Sequence, residues 1–123
     1  HMPWELDSDR PIYAQIGDRL KHEIVSGFYP PGSRLPSVRD LAAQASVNPN
    51  TMQKAFTELE RTGLIVTRRT SGRTVTEDTA LIEQVRSELA ELQISQFLTR
   101  MQHLGYQKDD SIRLLLAKKE EIS

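Results

Sequence analysis

The 123-residue chain contains no cysteine, which excludes a disulfide framework, thiolate metal ligands and cysteine nucleophiles. It also lacks any apolar run near the ~18 residues that span a bilayer. Its first residues do not place a basic segment before an apolar one, so no secretory signal is visible. His1 and Met2 are interpreted as an expression-vector remnant. These absences predict a soluble, cytoplasmic protein. The length predicts one domain, or a small domain with an oligomerisation tail.

The positive charge of the chain is concentrated in one stretch. The net charge is −1, but residues 1–76 carry ten Lys or Arg against eight Asp or Glu, and residues 77–123 carry six against nine. Within residues 34–73 the basic residues number seven and the acidic residues three. A nucleic-acid-binding face requires such a concentration, although a solvated surface produces the same count.

Residue periodicity and turn signals predict three helices followed by a β-hairpin. Ser37 and Asn48 are typical N-cap residues, and Pro49 suits a first helical position. Gly63 is typical of a residue that ends a helix. The segment 34–36 is too short for an independent strand but can pair as an edge. Residues 1–10 are predicted as an arm, the helices span residues 11–25, 37–45 and 49–62, and the strands span 64–68 and 73–76.

The third predicted helix separates its side chains into two faces. Its apolar face carries Met52, Ala55, Phe56 and Leu59. Its opposite face carries Asn50, Gln53, Lys54 and Thr57. Such amides can pair bidentately with adenine, and a lysine can reach guanine or a phosphate. Free N–H groups of the first helical turn would also attract a phosphate. Three helices and a hairpin in this order are typical of a winged helix-turn-helix, although an exposed helix face can also be merely solvated.

The tip of the predicted hairpin, residues 70–73, has no large apolar group. Gly72 lets the backbone approach a nucleic-acid groove closely, and Arg73 can enter a narrow minor groove, where the potential is strongly negative. An ordinary solvent-exposed turn has the same composition. The hairpin is therefore a candidate wing.

Two short elements carry a family pattern. These are the Leu-Pro-Ser-x-Arg element at 35–39 and the Val-Asn-x-Asn-Thr element at 47–51. Matching segments also occur at residues 11–16 and 59–65. With these features, residues 10–76 resemble the DNA-binding domain of the GntR family of bacterial transcription regulators.

The resemblance implies DNA contacts at particular positions. It implies that Arg39 reaches a base or phosphate in the major groove and that Arg34 and Ser37 lie near the phosphate backbone. It also places the recognition-helix contacts at Pro49, Asn50, Thr51 and Gln53 and a minor-groove contact at Gly72. Pro49 stands where some relatives carry an arginine, and the neighbouring backbone N–H groups remain available there. The predicted DNA-binding residues are Arg34, Ser37, Arg39, Pro49, Asn50, Thr51, Gln53, Lys54, Ser71, Gly72 and Arg73.

Residues 77–123 are predicted to form two further helices, at about 79–104 and 110–121. Asp78 is the predicted N-cap of the first, and Asp109 or Asp110 that of the second. The predicted fold class is therefore mainly α with a small β-hairpin, a winged helix-turn-helix followed by a two-helix module.

The apolar stripes of these two helices predict a homodimer. About 47 residues follow Thr76, too few to enclose a typical ligand cavity of ~300 Å³ or more. The tail resembles the short dimerisation module of the YtrA-type subfamily, which implies repression from an inverted-repeat operator. Packing of the stripes on the chain's own DNA-binding domain is the alternative. The predicted dimerisation residues are Leu81, Val85, Leu89, Leu92, Phe97, Leu98, Met101, Ile112, Leu115 and Leu116.

An enzymatic function is not predicted. His22 and His103 lie on different predicted helices, and no His, Asp or Glu pair has metal-ligand spacing. Glu58 and Glu60 do not share a helix face. The sequence therefore predicts no catalytic residue, no metal and no cofactor, and double-stranded DNA as the main partner.

Two other functions remain open at this level. A winged-helix protein-interaction module would need exposed apolar anchors on the third helix, where this chain has polar residues. A ligand-controlled repressor would bind an unidentified effector between tail and DNA-binding domain or at the dimer seam. Candidate aromatic residues for that site are Trp4, Tyr13, Phe28, Tyr29, Phe97 and Tyr106.

Overall fold

The computed structural model describes residues 3–122, and His1 and Met2, interpreted as a vector remnant, lie outside the described residues. Helices and one antiparallel hairpin make up this part of the chain, as the predicted fold class requires. In chain order the elements are α1 (Ile12–Val25), α2 (Val38–Ala45), α3 (Pro49–Thr62), β1 (Ile65–Arg68), β2 (Gly72–Val75), α4 (Thr79–His103) and α5 (Lys108–Ile122). No helix among the described residues has both the length and the hydropathy to cross a bilayer.

The core of the N-terminal unit is built around α3, which packs against α1, α2 and β1. The predicted apolar face of α3 is confirmed, because its four residues are each at most 1% exposed. α1 contributes Ile16, Leu20 and Ile24, and α2 contributes Leu41. Each such side chain stabilises the fold by roughly 1.5–3 kcal/mol on burial. This core determines which face of α3 remains available to solvent.

Local capping explains why α2 and α3 begin where the sequence predicts. The Asp40 N–H donates to Ser37 Oγ at 3.0 Å, and the Asn50 N–H donates to Asn48 Oδ1 at 2.8 Å. Ser46 (φ 56°) ends α2 and Gly63 (φ 88°) ends α3, both in the left-handed region. The caps therefore set the tight α2–α3 turn and the exit from α3 into the wing.

The wing consists of β1 and β2 with a short third edge. Ile65 pairs with Val75 in an antiparallel register, and Arg34 forms an isolated bridge with Thr74. The Leu35 N–H donates to the Arg73 carbonyl oxygen at 2.9 Å. The prediction that residues 34–36 can pair only as an edge is thus confirmed. α1, α2 and β1 each begin one residue later than predicted, and β2 begins and ends one residue earlier.

The N-terminal segment is a loop, as predicted, but it is fastened to α1. Gln15 accepts a hydrogen bond from the Asp7 N–H at 2.7 Å and donates to the Asp7 and Arg10 carbonyl oxygens. Arg19 donates to the Pro3 carbonyl oxygen at 2.9 Å, and its guanidinium lies 4.1 Å from the centre of the Trp4 ring. No pattern in the sequence predicts this attachment.

The chain divides into two compact units, one ending at Arg86 and the other beginning at Ser87. This differs from the predicted boundary after Thr76. Ile82 is 5% exposed, and the Arg86 guanidinium donates to the Val25 carbonyl oxygen at 2.7 Å. The first turns of α4 therefore belong to the N-terminal unit, because these two side chains attach them to it.

The C-terminal unit contains the rest of α4 and all of α5. Asp78 caps α4 as predicted, with its Oδ1 accepting from the Leu81 N–H at 3.1 Å. The predicted N-cap of the last helix at Asp109 or Asp110 is wrong, because α5 already begins at Lys108. The Asp110 carboxylate instead reaches back from the first turn and accepts from the Gln107 N–H at 3.0 Å.

Candidate nucleic-acid interface

The polar face of α3 faces solvent opposite the core. Asn50, Lys54 and Thr57 are exposed, and Thr51 and Gln53 are half-buried. The expectation of free first-turn N–H groups is wrong. Pro49 has no N–H, the Asn50 N–H is taken by the Asn48 side chain, and the Thr51 N–H donates to the Asn48 carbonyl oxygen at 3.0 Å. Side chains, rather than backbone donors, must therefore supply the contacts to an anion here.

Lys54, a predicted DNA-binding residue, has an aromatic neighbour. Its Nζ lies 3.9 Å from the centre of the Tyr13 ring on α1. A cation over an exposed ring gains about 0.5–1 kcal/mol, which restricts the long lysine side chain without neutralising its charge. The ammonium thus remains available for a phosphate or a guanine.

Four exposed arginines lie near the start of α2 and in the wing. Within residues 3–122, none of them has a carboxylate within ion-pair distance, so their charges are uncompensated locally. Arg34 precedes α2 and Arg39 lies on it, while Arg68 and Arg69 lie at the end of β1 and in the wing turn. The sequence predicted Arg34 and Arg39 but missed the other two. The position of Arg68 and Arg69 within the basic stretch 34–73 was the sequence feature that could have pointed to them.

A concave groove joins the start of α2 to the wing tip. It has a volume of about 320 Å³ and is lined by residues 34–38, Asp40, Gly72 and Arg73. Gly72 has φ 72°, and a Cβ there would lie 3.7 Å from Arg34 Nε. The predicted residues Arg34, Ser37 and Gly72 are thereby brought together. Ser37 Oγ accepts from Asp40, which leaves its hydroxyl proton for donation.

A second groove on the other side of Arg34 reaches the wing turn. It measures about 390 Å³ and is lined by Gly32, Arg34, Arg68, Ser71, Thr74 and Glu77. Two arginines against one carboxylate leave this groove net positive. The predicted residue Ser71 is half-buried at its edge. Arg34 lines both grooves and so connects the two basic surfaces.

The Arg73 side chain, which the sequence predicts to enter a minor groove, contacts α3 in this structure. Its Nε donates to Glu60 Oε1 at 2.6 Å, and its guanidinium lies 5.3 Å from the centre of the Phe56 ring. Its Nη2 also lies 3.5 Å from Gln53 Oε1. The side chain therefore folds back onto α3 instead of extending from the wing tip, because Glu60 supplies a matching charge at close range.

Among the described residues of the N-terminal unit, the two groups with a shifted pKa lie outside the polar face of α3 and the two grooves. Burial raises the pKa of Glu23 above its usual 4.5, and this effect exceeds the opposite effect of the Arg19 guanidinium 3.1 Å away. Burial and the neighbouring Glu23 raise the pKa of Tyr29. Neither group belongs to the grooves or to the polar face of α3.

The predicted dimerisation residues fall into two groups. Leu81 and Val85 are half-buried in the N-terminal unit, where Leu81 Cδ2 lies 3.4 Å from the position of a Cβ on Gly63. In the C-terminal unit, four residues are half-buried: Leu89, Phe97, Leu98 and Met101. The other four are at least 50% exposed: Leu92, Ile112, Leu115 and Leu116. Four further exposed apolar residues of this unit stand outside the predicted dimerisation set: Ile94, Leu104, Tyr106 and Leu114.

The aromatic residues considered for an effector are divided between the units. Trp4 contacts Arg19, Tyr13 contacts Lys54, and the Phe28 and Tyr29 rings pack edge to face. The C-terminal unit has a concavity of about 430 Å³ lined by Ser95, Leu98, Thr99, Gln102 and residues 106–109. Its lining residues other than Leu98 are exposed, so it is an open groove and not an enclosed cavity.

Comparison with known proteins identifies the N-terminal unit. The family model of bacterial regulatory proteins of the gntR family matches residues 12–75, which include α1–α3 and the wing. The chain belongs to the GntR family. It is 40% identical to the HTH-type transcriptional repressor YtrA of Bacillus subtilis over 100 residues, which are 80% of this chain and 76% of YtrA. This GntR protein is of the YtrA type.

Two solved structures extend the comparison. A GntR family transcriptional regulator from Listeria monocytogenes is 38% identical, with a TM-score of 0.79 over 96% of this chain and all of the other. The AraR DNA-binding domain in complex with operator ORX1 is 26% identical to this chain. The two superpose with a TM-score of 0.54 over 62% of this chain and the whole of the AraR chain. The GntR protein described here is a transcription regulator with a DNA-binding winged-helix domain.

Proposed function

We propose that this GntR protein is a homodimeric repressor that binds an inverted-repeat operator. The recognition helix, residues 49–62, lies in the major groove, and the wing, residues 68–75, lies in the minor groove. The observation that carries the proposal is an exposed polar face on α3 together with four exposed, uncompensated arginines at α2 and in the wing. Phosphates on either side of a groove would neutralise these charges.

The polar face of α3 supplies the base-reading groups. Asn50 and Gln53 carry amides that suit adenine, and Lys54 suits guanine or a phosphate. Thr51 is half-buried beside them, and Pro49 starts the helix without a donor. This face has no exposed aromatic or aliphatic anchor of the kind that a protein-binding helix uses. Reading a duplex therefore fits this surface better than binding a protein.

The residues before and on α2 complete the interface. Arg39 extends from α2 to a base or an adjacent phosphate, and Arg34 and Ser37 bind the phosphate backbone beside Gly72. Arg34 lies next to the wing-tip glycine, so one side chain can follow the backbone between the two grooves. Arg68 and Arg69 add charge at the wing, with Ser71 beside them.

The exposed apolar residues of the C-terminal unit support the homodimer. Ile112, Leu115 and Leu116 follow one another at helical spacing, and each is 50–61% exposed on α5. A second copy would cover this face and place two recognition helices about one turn of DNA apart, which requires an inverted repeat. Repression is proposed because the relative YtrA is named a repressor.

Salt-dependent DNA binding of paired variants tests the proposal. The affinity for a duplex of mixed sequence should fall steeply between about 50 and 200 mM salt, because phosphate contacts release counterions. Arg39→Ala should weaken operator binding by about 1–3 kcal/mol if Arg39 reads a base. Arg61→Ala is the matched control, since Arg61 pairs with Glu58 on the same helix at 2.9 Å. Salt-independent binding, or equal losses for both variants, would reject the proposed interface.

A further inference from the structure

The wing and the recognition helix are connected by a chain of polar contacts that ends at a base-reading residue. It begins at Glu60, whose carboxylate accepts from Arg73 Nε at 2.6 Å, with both side chains about 70% buried. The Arg73 Nη2 then lies 3.5 Å from Gln53 Oε1, at the long end of hydrogen-bond geometry. Packing on Phe56 holds the guanidinium plane in place between them.

The opposite end of the Gln53 amide is fixed on α3 itself. Thr57 Oγ1 donates its proton to the backbone carbonyl oxygen of Gln53 at 2.9 Å, so toward the Gln53 side chain this hydroxyl can only accept. Gln53 Nε2 lies 3.2 Å from Thr57 Oγ1 and donates to it. Because a guanidinium can only donate, the oxygen of the amide must face Arg73 and its nitrogen must face Thr57. The two neighbours therefore select the same one of the two amide orientations.

We propose that Arg73 is a positioning residue that sets the orientation of the Gln53 amide and thereby limits which base Gln53 accepts. The proposal rests on the proposed DNA-reading role of α3. Base edges in the major groove differ in the order of their donors and acceptors, so an amide of one orientation distinguishes bases that a freely flipping amide does not. Arg73 then acts on specificity through Gln53, while Glu60 cancels the charge it would otherwise offer to a phosphate.

Sequence preferences measured on variants test this role. A random duplex pool is selected with the wild-type chain and with Gln53→Ala, Arg73→Ala and Arg73→Lys. Loss of the Gln53 amide should abolish the base preference at one position of each half-site. A bidentate amide contact gives a preference of about 5- to 150-fold for the correct base. Both Arg73 variants should weaken the preference at that same position, because lysine lacks the planar fork that reaches Glu60 and Gln53 together. The double variant Gln53→Ala/Arg73→Ala should show no further loss there.

The variant Glu60→Gln adds a measurement, the salt dependence of DNA binding, that would not change if Arg73 only stabilised the fold. Without the carboxylate, the Arg73 charge becomes available to DNA, so the slope of log affinity against log salt should steepen by about one. The preference at the Gln53 position should weaken at the same time. Arg69→Ala is the control, and it should make the salt slope about one unit shallower with unchanged base preferences.

The outcomes separate this inference from the proposed function. If Arg73→Ala makes the salt slope shallower and leaves every base preference intact, Arg73 is itself a phosphate contact and the inference is wrong. The inference also fails if Gln53→Ala changes a position that Arg73→Ala leaves unchanged. If the wild-type chain enriches no sequence at all, the proposed function fails first. Thermal unfolding of each variant confirms that the compared proteins are folded.

Discussion

Truncation of Leu116 on α5 should weaken a homodimer by an amount that follows from its exposure. Leu116→Ala removes three carbons, worth about 2.4 kcal/mol when fully buried. The residue is 61% exposed in the single chain, so a dimer that covers it loses about 1.5 kcal/mol per protomer. A two-fold interface contains the residue twice, which gives about 3 kcal/mol, or about 150-fold in the dimer Kd.

Sedimentation equilibrium over a range of protein concentrations measures this change. Lys118→Ala is the matched control, because Lys118 lies about 160° around the helix from Leu116 and pairs with Glu121 in an exposed ion pair at 2.7 Å. Its Kd should stay within a few-fold of the wild-type value. At protein concentrations where the chain is monomeric, the thermal stability of both variants should match the wild type, since the leucine is already exposed in the protomer. A Leu116→Ala chain that dimerises as tightly as the wild type would refute the assignment of this face.

Three further changes test other parts of the structure. Lys54→Ala should weaken binding similarly across sequences and make the salt slope about one unit shallower if the ammonium contacts a phosphate, which anisotropy titrations at several salt concentrations will measure. Gly63→Ala should lower the free energy of unfolding in urea by about 1–2 kcal/mol, because φ is +88° there. Glu23→Gln should raise the free energy of unfolding at neutral pH, because burial raises the Glu23 pKa in the folded state and so penalises its charge.

The pH dependence of the last variant has a defined sign. As the pH falls through the raised pKa toward 4.5, the folded state binds the proton first, and the penalty on the wild type disappears. The advantage of Glu23→Gln should therefore shrink with acidification. An advantage that grows as the pH falls would contradict the stated cause. For Gly63→Ala, unchanged stability would mean that the left-handed backbone is not required, and for Lys54→Ala an unchanged salt slope would exclude a phosphate contact.

The starts of α2, α3 and α4 could be predicted because neighbouring residues determine them. Ser37, Asn48 and Asp78 each bond a backbone N–H two or three residues away, and that chemistry is written in the local sequence. The buried face of α3 follows equally from helical spacing. Interactions across a few residues were therefore sufficient for most of the winged-helix unit.

Two of the differences from prediction arise where distant segments meet. Arg73 turns back onto α3 because Glu60, thirteen residues away in sequence, is brought beside it by the packing of the wing. The division of the chain at Arg86 depends on Ile82 and on a bond to Val25, which is 61 residues distant. The first-turn N–H groups of α3 were expected to be free because the sequence cannot show that Asn48 satisfies two of them at once.

Selection of bound fragments from a random duplex pool by the wild-type protein tests the central claim most directly. The account predicts enrichment of an inverted repeat whose half-sites are about 10–10.5 base pairs apart, or a multiple of that spacing. Enrichment of no sequence above the input pool, at a salt concentration where mixed duplex is bound, would contradict it.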